Sequence, residues 1–171
     1  MPQLRLQVFS DLAYGAQGIQ YFTYWTPCDT TWNFNNGPIS PEGKRTVVYD
    51  RIRQVNSEIA SLSPVFMGSS VISVSHTGEN IPQGTKPLEA LPQPIKVLKT
   101  EGKGAVVSIL KNGVDNYLVI VNRDFLLPMT LYIECENNVR KVLKDGTLVQ
   151  AGVYEPKLVI DPGDITVYTW Q

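Results

Sequence analysis

Aromatic and amide side chains gather in one stretch of the sequence, residues 25–36. It contains Trp25, Trp32, Asn33 and Asn35. A flat indole offers a surface on which the apolar C–H face of a sugar ring can stack, and amides can hydrogen-bond to the sugar's hydroxyls. The stretch therefore predicts a carbohydrate-binding site formed by these four residues. Tryptophans in such a stretch are more commonly plain packing residues, and the sequence leaves both interpretations open.

Acidic and nucleophilic side chains form no recognisable catalytic pattern. Asp29 lies in the same polar stretch and Glu42 opens a predicted helix, so a pair of catalytic carboxylates is conceivable. A solvated loop acid and a carboxylate beside a helix N-terminus explain both residues without chemistry. No G-x-S-x-G nucleophile motif is present, and His76 is expected to be an ordinary loop or strand-end residue. We therefore assign no catalytic residue.

The composition excludes several classes of partner. Fifteen basic and 16 acidic side chains give a formal charge of −1, which argues against binding to nucleic acid or to an anionic membrane. No apolar run approaches the roughly 20 residues of a membrane-spanning helix. Cys28 and Cys135 are expected to be free thiols, with a disulfide as the less favoured alternative. Two distant cysteines and one histidine give no metal-ligand spacing, so we expect neither a metal nor a cofactor.

The first 63 residues predict a helix, a strand and a second helix. Residues 4–16 have the apolar spacing of a helix, with Gly15 as its stop. Residues 18–25 are aromatic and β-branched, as in a buried strand. Ser40-Pro41-Glu42 has the N-cap, first-turn proline and first-turn carboxylate of a helix start. The apolar stripe that follows predicts a helix ending at Pro64.

Residues 64–171 predict an antiparallel β-sandwich. Short β-rich runs alternate there with turn sequences such as KNGVDN and DPGD, and no helical pattern lies between them. We therefore place the one domain boundary at Ser63-Pro64, between segments 1–63 and 64–171. The predicted strands are 68–76, 95–100, 105–111, 117–122, 129–134, 140–142, 157–160 and 165–170. Tyr117, Tyr132, Tyr168 and Trp170 on these strands are expected to be core residues rather than a sugar platform.

A strand that is apolar on both faces needs neighbouring strands, so segment 1–63 looks incomplete.

Two runs carry a resemblance to a known family: DLAYGAQGIQYFTYWTP and NGPISPEGKRTVVYDRIRQVNSEIASLSP. They resemble the last helix–strand–helix of the (β/α)8 barrel in clan A glycoside hydrolases, especially the family 42 type β-galactosidases, in which a β-sandwich follows. The matching positions are Gly15, Gly18, Phe22, Trp25, Gly43, Tyr49, Asn56 and Ile59.

The resemblance implies a fold and a function. The fold is mainly β with a small α/β part, an antiparallel β-sandwich preceded by a helix–strand–helix remnant of a TIM-type barrel. The chain would be the C-terminal fragment of a glycoside hydrolase, inactive alone because both catalytic glutamates lie upstream of residue 1. In such enzymes the tryptophan matching Trp25 forms a floor under the sugar, often beside a cis peptide, here Trp25-Thr26.

Two further expectations accompany this interpretation. The alternative function is a non-catalytic carbohydrate-binding or protein-interaction β-sandwich module. The expected partners are carbohydrate, the missing barrel portion or a second copy of the chain. The first residues lack the order of a secretory signal, but the sequence fixes no compartment and is compatible with a secreted or periplasmic parent protein.

Overall fold

The computed structural model describes residues 1–28, 31, 34, 36–151 and 154–171. Within these residues the chain forms three helices followed by nine strands. The helices are α1 (Pro2–Ala13), α2 (Val47–Ser61) and α3 (Ser63–Phe66). The strands are β1 (Ser70–His76), β2 (Ile95–Glu101), β3 (Ala105–Asn112), β4 (Asp115–Asn122), β5 (Met129–Cys135), β6 (Arg140–Val142), β7 (Leu148–Gln150), β8 (Tyr154–Ile160) and β9 (Ile165–Trp170).

The strands form two antiparallel sheets. The larger has the order β1-β3-β4-β9-β6-β7 and the smaller the order β2-β5-β8. The mainly β class with antiparallel sheets is therefore confirmed, and the two sheets are arranged as in a β-sandwich. Each of the eight predicted strands corresponds to an observed one, whereas β7 was not predicted.

Two hydrophobic clusters give the molecule three layers. One cluster lies between the two sheets and includes Ile120, Leu131 and Tyr168. The other lies between the opposite face of the six-stranded sheet and the helices, and includes Phe9 and Val55. The six-stranded sheet is thus covered on both faces, by helices on one side and by the smaller sheet on the other.

The central strands explain why this arrangement produces continuous apolar sequence. Successive side chains of a strand point to opposite faces of the sheet. In β4, Val119 and Val121 join the cluster under the helices, while Leu118 and Ile120 join the cluster between the sheets. A strand buried on both faces therefore reads as the uninterrupted run YLVIV rather than as an alternating pattern.

The helices begin and end at positions that differ in part from those predicted. Helix α1 ends at Ala13, and Gly15 follows with a φ of 97°, so the predicted stop is confirmed. Helix α2 begins at Val47, with the Thr46 side chain accepting a bond from the Val48 N–H. The predicted start at Ser40 is wrong, because residues 40–44 close a separate turn in which Gly43 has a φ of 76°. Helix α2 ends at Ser61, before Pro64.

A buried ion cluster joins the helices to the sheet. The Arg5 guanidinium in α1 donates to Glu58 of α2 at 2.6 Å and to the Asp164 carboxylate beside β9 at 2.9 Å. Lys144 forms a second ion pair with Asp164. Burial alone would lower the pKa of Arg5, but the hydrogen bonds that Arg5 donates to Glu58 and the negative charge of Asp164 raise this pKa above its usual value. The guanidinium therefore stays charged and bridges three elements.

The turn between β8 and β9 approaches α1 closely. A Cβ added to Gly163, which has a φ of 69°, would lie 2.3 Å from the Pro2 carbonyl oxygen. Glycine is needed at this position both for its backbone conformation and for the space. Through this contact and the ion cluster, α1 is fixed against the sandwich.

Candidate functional site

Residues 18–25 have the side-chain alternation of a strand. Ile19 and Tyr21 are partly buried against the cluster under the helices, and the Tyr21 hydroxyl donates to Asn56 Oδ1 of α2 at 2.8 Å. On the opposite side Phe22 is 85% exposed and Tyr24 is 61% exposed. One face of this segment is therefore covered by the helices, and the other presents aromatic rings to solvent.

The backbone of the same segment lacks strand partners in the described part of the chain. No backbone hydrogen bond joins residues 18–23 to another described segment. The first pairing occurs at Trp25, which forms an isolated bridge with Ile39. There the Thr26 N–H donates to the Ile39 carbonyl at 2.8 Å. The strand predicted over 18–25 is therefore wrong for the described residues, because no neighbouring strand supplies its hydrogen bonds.

A groove of about 580 Å³ lies beside this segment. Leu4 of α1 lines it on one side, and Val48 and Ile52 of α2 line it on another. Phe22 also lines the groove and contacts Phe34 edge to face, with ring centroids 5.9 Å apart. The groove thus has apolar walls from both helices and open strand-like backbone between them.

The predicted sugar site falls only partly within the described residues. Trp25 is 46% exposed at the end of the segment. Trp32, Asn33 and Asn35 lie outside the described residues. The cis peptide expected at Trp25-Thr26 is instead found at Phe22-Thr23. The described residues therefore show an accessible indole at position 25.

Glu42 is held as a structural carboxylate. The Ser40 hydroxyl donates to Glu42 Oε2 at 2.7 Å, and this bond, with a backbone bond, lowers the pKa of Glu42 below its usual value. A carboxyl group with a lowered pKa is ionised near neutral pH and is a poor general acid. Asp29, the other acid considered from sequence, lies outside the described residues.

His76 lies at the end of β1, as predicted, and is 4% exposed. Its Nε2 shares a hydrogen bond with the Tyr14 hydroxyl at 2.7 Å, and its Nδ1 has no partner among the described residues. Burial, followed by the positive charge of Arg123, lowers the pKa of His76 below its usual value. The imidazole is therefore neutral in the folded protein at neutral pH.

This lowered pKa predicts a loss of stability on mild acidification. Below about pH 6.5 the unfolded chain binds a proton at His76 that the folded chain does not, so the free energy of unfolding falls as the pH falls. One such group contributes at most about 1.4 kcal/mol per pH unit. Urea unfolding between about pH 7.5 and about pH 5.5 measures the slope. His76→Gln, which can still accept a bond from Tyr14, should reduce the dependence of the unfolding free energy on pH. An unchanged dependence would show that His76 does not cause it.

The aromatic residues of the strands are mainly core residues, as expected. Tyr117, Tyr168 and Trp170 are 8%, 0% and 7% exposed, while the half-buried Tyr132 donates its hydroxyl to Glu101 at 3.0 Å.

Sequence reasoning missed a second cavity, of about 400 Å³, whose lining includes Asp115, Arg140 and Trp170. These residues are far apart in sequence and meet through the sheet register alone.

The corner after β4 is a local turn. The Asp124 carboxylate accepts a bond from the Leu126 N–H at 2.8 Å. Backbone bonds, with that from Leu126 first, lower the pKa of Asp124. Arg123 donates to the backbone carbonyls of Thr77 and Asn80. Both side chains therefore hold nearby backbone in place.

Other classes of site are not found in the described residues. Cys28 and Cys135 are not joined in a disulfide; Cys28 is exposed and Cys135 is buried. No three histidine, cysteine or acidic side chains among the described residues are grouped to hold a metal ion. None of the described helices is both long and apolar enough to cross a membrane.

Comparison of the chain with protein-family models, with curated proteins and with solved structures gives no match.

Proposed function

We propose that this chain is the C-terminal part of a clan A glycoside hydrolase of the β-galactosidase type, and that it has no hydrolase activity by itself. Segment 1–63 would supply the last helix, strand and helix of the catalytic barrel. Segment 64–171 would be the sandwich that follows the barrel in those enzymes. The proposal rests on the ordered sequence resemblance over residues 6–64 and on one feature of the fold.

That feature is the half-covered segment 18–25. In a (β/α)8 barrel each strand has helices on its outer face, barrel interior on its inner face and a parallel strand along each edge. Segment 18–25 has α1 and α2 on one face through Ile19 and Tyr21. Its other face, with Phe22 and Tyr24, is open. Open edges and an open aromatic face are what a barrel strand would have if its neighbours were supplied from elsewhere.

The catalytic deficit follows from the same assignment. Glycoside hydrolysis requires two carboxyl groups that flank the scissile bond. In the family that the chain resembles, these groups come from the fourth and seventh strands of the barrel, which precede the portion matched here. The lowered pKa of Glu42 gives no support to a replacement acid.

Trp25 would then contribute to the sugar site of the complete enzyme. Its indole is exposed at the end of the proposed eighth strand, where the side chains of a TIM-barrel active site are found. In that position it would form the stacking floor under the sugar, with Trp32, Asn33 and Asn35 from the following loop beside it. The carboxylates would come from the other strands.

The open face predicts self-association of the isolated chain. Unpaired strand edges next to exposed aromatic rings favour pairing between copies. Sedimentation of the purified chain should show oligomers, and the double substitution Phe22→Ser and Tyr24→Ser should shift the protein to monomer. Leu126→Ser is the matched control, because Leu126 is 66% exposed and lies in the turn after β4. We expect no effect of this control on association.

Two outcomes would overturn the proposal. One is a monomeric wild-type chain that melts cooperatively and is stabilised by oligosaccharide, which would favour the alternative carbohydrate-binding module. The other is turnover of an aryl β-galactoside by the purified chain that is abolished by Asp29→Asn or Glu42→Gln. Oligomers dispersed by the double substitution, together with no turnover, would support it.

A further inference from the structure

A second cavity lies at one end of the six-stranded sheet, on the sandwich. It has a volume of about 400 Å³, within the range of about 300 to 1,000 Å³ typical of small-molecule pockets. It is lined by residues at the start of β4, the end of β9 and the start of β6, and by Leu148 of the neighbouring strand β7. The residues that matter for its chemistry are Asp115, Asn138, Arg140, Leu148, Trp170 and Gln171.

Two polar groups in this cavity are uncommitted. The side chains of Arg140 and Asn138 are exposed, and neither makes a hydrogen bond or ion pair with any residue that the structure describes. The Asp115 carboxylate accepts one bond, from Gln171 Nε2 at 3.0 Å. A carboxylate has room for about four such bonds. The cavity thus offers a guanidinium, an amide and a carboxylate that all retain bonding capacity.

The sheet register sets the distance between the charged groups. Arg140 of β6 pairs with Thr169 of β9, and Trp170 of β9 pairs with Asn116 of β4, next to Asp115. Arg140 and Asp115 therefore lie on either side of β9, two strand spacings apart across the sheet and about two residues apart along it, which is about 12 Å at the backbone.

The cavity also has apolar surface. Leu148 is 49% exposed, and Trp170, which is 7% exposed, also lines the cavity. A sugar ring has two kinds of surface, namely apolar C–H faces and a rim of neighbouring hydroxyls. The apolar surface of the cavity matches the C–H faces, and the planar guanidinium and amide, which can form paired hydrogen bonds, match neighbouring hydroxyls. The opposite charges of Arg140 and Asp115 cancel. The Asp115 carboxylate would repel a simple anion, so a neutral ligand is favoured.

We propose that this cavity binds one neutral sugar residue of a saccharide. Arg140 and Asn138 donate to adjacent ring hydroxyls, Asp115 accepts from another, and Leu148 with the edge of Trp170 contacts the C–H face. The site belongs to the sandwich, does not include Trp25, and does not depend on whether the chain is part of a hydrolase.

Titration of the full chain with methyl β-galactoside or methyl β-glucoside, followed by NMR, tests this site. The Trp170 indole N–H should shift saturably, with a dissociation constant on the order of 1 to 10 mM for so small a ligand. Arg140→Ala and Asn138→Ala remove exposed side chains and should each weaken binding about fivefold or more. Lys99→Ala, which removes an exposed cation on β2 of the other sheet, should leave the affinity unchanged.

Three results would overturn the inference. They are the absence of a Trp170 shift with both sugars, a shift that Arg140→Ala and Asn138→Ala leave intact, and an equal response to glycine or inorganic phosphate. Trp25→Ala separates this site from the one proposed for the hydrolase. Sugar binding that is lost in Trp25→Ala and retained in Arg140→Ala would refute the sandwich site and support the role of Trp25. The reverse pattern would support the sandwich site.

Discussion

Arg5→Ala is expected to lower the free energy of unfolding by about 3 kcal/mol, because removing one partner of a buried ion cluster leaves its carboxylates uncompensated. The side chains of Arg5, Glu58 and Asp164 are 9%, 14% and 9% exposed. Loss of the guanidinium leaves Glu58 with a single bond at 3.4 Å from the uncharged Gln54 amide. It leaves Asp164 with Lys144 and the Ile165 N–H. Urea unfolding followed by far-UV circular dichroism measures the change.

The chain offers a matched control for this substitution. Arg53 in α2 is 71% exposed and lies 3.8 Å from Asp50, so Arg53→Ala should cost less than about 0.5 kcal/mol. Arg5→Lys should fall between the two, because an ammonium cannot reproduce the forked geometry that reaches both carboxylates. A cost for Arg5→Ala equal to that for Arg53→Ala would show that the cluster does not hold the helices on the sheet.

Asn122→Ala is expected to cost about 2 to 4 kcal/mol, because it removes the donor for several buried carbonyl groups at once. Asn122 is 0% exposed, and its Nδ2 donates to the carbonyls of Leu127, Ile160 and Asp161 at 3.0, 3.1 and 3.1 Å. Its Oδ1 accepts a bond from the Asp124 N–H at 2.9 Å. One amide therefore connects the end of β4, the turn after it and the end of β8.

Asn80→Ala is the comparison for that substitution. Asn80 is exposed and contributes its backbone carbonyl, not its side chain, to the bond from Arg123. Its replacement should change the free energy of unfolding by less than about 0.5 kcal/mol. If Asn122→Ala unfolds at the same urea concentration as Asn80→Ala, the amide does not anchor the corner.

The β part of the fold was predictable because its signals are local. Each predicted strand is a short β-rich run bounded by glycine, asparagine or aspartate turns, and β3 and β4 are joined directly through Gly113 and Val114. The strand that was missed, β7, has three residues that are all exposed. A strand without a buried face leaves no apolar pattern, so its pairing with β6 becomes visible in the structure alone.

The front segment was harder to predict because local signals competed. Ser40-Pro41-Glu42 has the residues of a helix start, but Gly43 takes a positive φ and closes a turn first. The actual N-cap, Thr46, donates its hydroxyl to the Gly37 carbonyl and accepts from Val48. For residues 18–25 the aromatic and β-branched composition of a strand was readable, whereas pairing depends on neighbours that the sequence of one segment does not specify.

The candidate sites differ in how far sequence could reveal them. Trp25 stands in a recognisable aromatic run, and its exposure is consistent with a role in binding. The cavity on the sandwich brings together Asp115 and Arg140, which belong to strands separated by β9. No spacing in the sequence predicts that these two residues line one cavity, because their proximity depends on the order and the register of strands within the sheet.

The most direct test of the proposed function is the coding DNA immediately upstream of the Met1 codon. We predict barrel strands there, in the same reading frame or in an adjoining gene, with one glutamate at the end of each of the two strands that carry the catalytic carboxyls. Upstream DNA that encodes no such strands in either arrangement would contradict the assignment of residues 18–25 as a barrel strand.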